Sequence, residues 1–143
     1  MRESRSTRRT AVAGGVAVAV LASAALVASL AFAHNKTFSN QVTLTKAVHY
    51  APNVASYQGH VNSPRANCER HREVQVFNVS ANPDVRVART HTTPTGFWKV
   101  KGSLVPNGDK VQALIETKVL PAPPGHNHSC AVDRSPRVVF PHP

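Results

Sequence analysis

Thr93-Pro94-Thr95-Gly96-Phe97-Trp98-Lys99-Val100-Lys101 reads as a turn feeding a strand. Pro94 supplies the fixed φ that a type I turn takes early, and Gly96 stands where a bulged hairpin needs a positive φ. After the turn the side chains alternate, with Trp98 and Val100 inward and Lys99 and Lys101 outward. That alternation places Trp98 in a core rather than on the surface as a platform for stacking sugars.

The same period of two recurs on both sides. Gln41–Val48 puts Val42, Leu44 and Val48 on one face, with Lys46 interrupting. Ala55–Val61 carries Tyr57, Gly59 and Val61 at period two. Glu73–Ser80 is rich in β-branched residues and changes phase near Phe77, which predicts a bulge or two-sided burial. Val85 and Val87 oppose Arg86 and Ala88. In Val111–Leu120 the expected inward row is Val111, Ala113, Ile115, Thr117 and Val119. Val138–Phe140 closes the series. Asn107-Gly108 is a two-residue hairpin signal, and Pro121-Ala122-Pro123-Pro124-Gly125 is a stiff loop. Seven short strands with no helical apolar period predict an all-β fold, a single antiparallel seven-stranded sandwich.

The chain has 143 residues, 17 Lys and Arg against 7 Asp and Glu, and 2 Cys. That length holds one domain. Residues 11–33 contain no charged residue, four Arg precede them, and the run ends Ala31-Phe32-Ala33. This is the pattern of a secretory signal. The apolar run is about 20 residues long, so an uncleaved anchor is the alternative, and membrane contact is expected only through residues 11–33. The expected organisation is a signal segment over 1–33, a flexible lead over 34–40, the β-sandwich over 41–140 and a tail over 141–143. A secreted or extracytoplasmic location follows. In such a compartment two cysteines, Cys68 and Cys130, read as one disulfide closing a loop of about 60 residues, worth roughly 4 kcal/mol.

A further pattern joins these pieces. Tyr57-x-Gly59-x-Val61-x-Ser63 is followed by Cys68. Arg72-x-Val74-x-Val76 leads on to Thr92-Thr93-Pro94-Thr95-Gly96-Phe97-Trp98-Lys99-Val100, and Cys130 and Ser135 come near the end. The string resembles small secreted bacterial β-sandwich proteins of the carboxypeptidase-regulatory-like, transthyretin-like type. Thr93 stands where that pattern usually has Asp or Asn. The resemblance implies a prealbumin-like seven-stranded sandwich with its two cysteines bridged. It also implies an accessory role in folding, tethering or adhesion, with no catalytic machinery to transfer.

Residues 34–143 carry the thirteen remaining basic and six remaining acidic residues, and all eight His. The cations are dispersed and have no aromatic rings interleaved, unlike a nucleic-acid platform. They suit a soluble basic surface or attraction to an anionic polymer. No Gly-x-Ser-x-Gly elbow and no Gly-rich phosphate loop is present, and no catalytic residue is assigned. The leading expectation is therefore a non-enzymatic module that binds a protein or an anionic cell-surface polymer without a cofactor. The alternative is an extracytoplasmic copper or zinc protein. Cleavage after Ala33 makes His34 the first residue, and its α-amine and imidazole are both nitrogen donors suited to copper. His126 and His128, two residues apart beside Cys130, share one face of an extended strand. They offer a zinc or copper site that includes Cys130 only if its thiol is free. The plainer readings are an accidental residue on a floppy tail for His34, and a weak chelate on a Pro/Gly loop for the other two.

Overall fold

The computed structural model describes residues 34–143. The expected signal segment lies outside the described residues. Among the described residues twelve strands and one helical turn follow one another: β1 (Asn35–Phe38), β2 (Gln41–Val42), β3 (Lys46–Ala51), β4 (Val54–Asn62), α1 (Ala66–Glu69), β5 (Glu73–Asn78), β6 (Val85–His91), β7 (Phe97–Ser103), β8 (Lys110–Ile115), β9 (Lys118–Leu120), β10 (Asn127–Cys130), β11 (Asp133–Arg134) and β12 (Val138–Val139). No helix among the described residues is long and apolar enough to cross a membrane.

The strands form two larger sheets and one small one. In the first, β4 pairs antiparallel with β2, β3 and β7. In the second, β5 lies between β6 and β8, and β8 also takes β11 and β12. The two sheets share one apolar core. Val42, Ala47, Ala55, Tyr57, Val61 and Trp98 come from one side and Val74, Val76, Val111, Ala113 and Ile115 from the other, with Phe140 between them. Each fully buried Val, Ile or Phe among them contributes about 1.5–3 kcal/mol. Gly59 is required by the close packing around Trp98. A Cβ there would lie 1.9 Å from the Thr43 carbonyl oxygen and 2.7 Å from the Trp98 ring.

Local signals take the form their residues dictate. Gly96 has φ +78°, and the turn closes through Gly96 N–H to Thr93 O and Thr93 N–H to Phe97 O. The register of β5 on β6 shifts between Val76 and Phe77, where the alternation changes phase.

The differences from the expected seven strands have physical reasons. Two expected strands are broken, 41–48 into β2 and β3, and 111–120 into β8 and β9. β1, β10 and β11 are additions that polar residues conceal. The phase flips at Glu116-Thr117, so Val119 is 75% exposed while Leu120 is buried, the reverse of the expected row. Asn107-Gly108 makes a turn but no hairpin, because β7 pairs with β4 and β8 with β5. The sheets are not wholly antiparallel, since β1 runs parallel to β10. Residues 34–40, expected to be flexible, carry that strand. The tail is held too, by reciprocal backbone hydrogen bonds between His142 and Ala47 of 2.8 and 2.6 Å.

Candidate metal centre

The small third sheet has the order β1-β10-β9. Its parallel register pairs Lys36 with His128 and Phe38 with Cys130. The Asn127 N–H donates to the His34 carbonyl, which carries the pairing one step further. Alternation then assigns the faces. His34, Lys36 and Phe38 stand on one side of β1, level with His126, His128 and Cys130. Thr37 and Ser129 stand on the other side, where their hydroxyls meet at 3.2 Å.

The three imidazoles converge. One ring nitrogen from each of His34, His126 and His128 lies within 4.8 Å of the other two. His34 Nε2 and His128 Nε2 are 3.4 Å apart. The His34 and His126 rings meet edge to face with centroids 4.4 Å apart. A tetrahedral ion with bonds of about 2.0–2.1 Å holds its donors about 3.3 Å from one another. The His34–His128 pair already has that spacing. Closing His126 onto it takes a shift of roughly 1.5 Å, within the reach of one side-chain rotation.

The electrostatics favour a neutral His128. Partial burial first, and then the charges of His34, Arg65, His126 and Lys36, hold the His128 imidazole below the ordinary histidine value. A neutral imidazole is the form that binds a metal. One end of the site is fixed covalently. Cys130, the last residue of β10, is bonded to Cys68 in α1 across 62 residues. Both cysteines, Leu120 and the flank of Phe38 make a second small core under the sheet. The disulfide removes Cys130 from any metal role, so the donor set is imidazole only.

The alternative site residues named from the sequence are thus brought together, and His34 is not on a loose tail. The sequence reading had missed the neighbours Lys36 and Arg65. Lys36 Nζ lies 5.2 Å and Arg65 Cζ 5.0 Å from the centroid of the Phe38 ring. The alternation His34-x-Lys36-x-Phe38 was the available signal for the first. Arg65 comes from a distant loop and left none.

Other chemistry-bearing groups have structural work. Asp133 accepts from Val42 N–H at 2.6 Å, Glu69 from Ser63 N–H at 2.8 Å and Asp109 from Asn78 at 2.8 Å. A cleft of about 320 Å³ is lined by His71, Arg72, His91, Glu116 and Lys118 among others. Arg72 and Lys118 are already engaged. The buried Arg72 guanidinium donates to the Cys68 and Glu116 carbonyls, and Lys118 to those of Asn67 and Arg70. Comparison with protein-family models, with curated proteins and with solved structures found no match.

Proposed function

We propose that the chain is an extracytoplasmic, non-catalytic module that holds a copper or zinc ion between His34, His126 and His128. One observation carries this reading: three ring nitrogens from two separate stretches of chain lie within 4.8 Å of one another. Imidazole suits both metals. The disulfide is consistent with an oxidising compartment. The two-sheet body, in this reading a prealbumin-like sandwich, serves as the rigid support. If export leaves His34 as the first residue, its α-amine adds a further nitrogen donor.

The test is calorimetric titration of the chain beginning at His34 with Cu(II) and with Zn(II), beside His126→Ala and His128→Ala. The expected result is sub-micromolar binding of at least one ion at one equivalent, weakened at least tenfold in each variant. Absence of binding, or binding that ignores both substitutions, overturns the reading.

A further inference from the structure

The site carries no negative charge of its own. Its three donors are imidazoles, which ligate a metal in their neutral form, and among the described residues the metal-ligating group includes no carboxylate. A bound divalent ion therefore keeps its whole charge. Metal sites of this kind attract anionic ligands; three imidazoles leave one position of a four-coordinate ion for an outside group, and where the His34 α-amine also binds, that group takes the fifth position of an expanded shell.

The neighbours add to that charge. Lys36 projects from the same face of β1 as His34, directly beside His128 in the register. Arg65, the residue preceding α1, approaches from the other chain segment. Both cations rest on the Phe38 ring, whose plane meets the His128 ring nearly at right angles with centroids 6.0 Å apart. Neither has a carboxylate partner, since the single ion pair among the described residues is Arg89–Glu73 on β6 and β5. Both side chains are exposed.

We propose that the metal-loaded site takes an oxyanion, a phosphate or carboxylate group, as the ligand that completes its coordination, with Lys36 and Arg65 holding the remaining oxygens. The proposal rests on the metal reading above. The arrangement matches the chemistry of the ligand: one oxygen meets the ion, while a guanidinium fork and an ammonium point charge meet the others. It gives the anionic partner expected from composition a definite place, at one edge of the small sheet, rather than on the dispersed basic surface.

The chain beginning at His34 is loaded with Co(II), whose visible absorption reports its coordination. Inorganic phosphate and acetate are then titrated, with chloride at matched ionic strength as control. Phosphate, acetate or both are expected to change the Co(II) spectrum saturably, and chloride is not. Which of the two binds tighter separates a phosphate-bearing from a carboxylate-bearing source. In Lys36→Ala/Arg65→Ala, Co(II) affinity is expected to stay the same or rise, and the anion to bind about tenfold more weakly or worse, as loss of two nearby charges requires. Lys36→Ala alone, at an exposed side chain, gives the same direction without risk to the fold. A loaded protein whose spectrum ignores both anions, or responds equally in the variants, overturns the proposal and leaves the metal reading standing. Failure to bind Co(II), Cu(II) and Zn(II) alike removes both.

Discussion

Replacing the disulfide by two alanines, Cys68→Ala/Cys130→Ala, removes the covalent link between α1 and β10. The sulfurs close a loop with a sequence separation of 62. Restoring that loop's freedom to the unfolded chain costs about 4 kcal/mol at room temperature in the chain-entropy treatment. A small domain has about 5–15 kcal/mol in all, so this is a large share. Guanidinium unfolding, followed through the emission of the one tryptophan, measures it. Trp98 is fully buried, so its emission shifts to the red as the two-sheet core opens. With a denaturant slope of about 3 kcal/mol/M for a chain of this size, the midpoint is expected to fall by about 1.3 M. The small core of Cys68, Leu120, Cys130 and Phe38 loses its staple as well. A midpoint that moves by less than about 0.3 M, with the slope unchanged, refutes the loop-closure reasoning.

Two further outcomes are expected. Val119→Ala leaves stability within about 0.5 kcal/mol of the parent, whereas Leu120→Ala costs about 2–5 kcal/mol, because the phase flip at Glu116-Thr117 turns Leu120 inward; equal losses in thermal unfolding contradict that flip. The two phenols titrate apart: Lys101, first as a hydrogen-bonding partner and then as a charge, draws Tyr50 below its ordinary value, while burial pushes Tyr57 up to about 12. Below pH 10 both folded and unfolded chains keep the Tyr57 proton; between pH 10 and 12 the unfolded chain alone releases it. Stability therefore falls by about 3 kcal/mol across that window. Phenolate absorbance should show two separated steps, and a single step near pH 10 counts against it.

The larger sheets were legible because their residues speak locally. Trp98 beside Lys99, the phase change at Phe77 and the positive-φ glycine after Pro94 each declare a geometry within a few residues. The small sheet was not legible. Asn35-Lys36-Thr37-Phe38 and Asn127-His128-Ser129-Cys130 are short and mostly polar, and their parallel pairing joins segments far apart in the chain. The break at Glu116-Thr117 was hidden because apolar residues continue on both sides of it. For the candidate site, the donor types and the shared face of His126 and His128 were readable from alternation. The approach of His34 depends on the long-range pairing, and the Arg65 position on a loop whose path no local pattern encodes.

The position of the cross-link also decides how the molecule responds to tension. Were its two ends pulled apart, the load would pass from α1 to β10 through the sulfur–sulfur bond. The segment between them, which holds β5 to β9, would stay slack and could not be drawn out. Only the flanking stretches could lengthen. On the leading side β1, which directly follows His34, pairs with one neighbour alone and would detach early. A tethered copy under shear would thus lose its three-imidazole cluster before its main core opened.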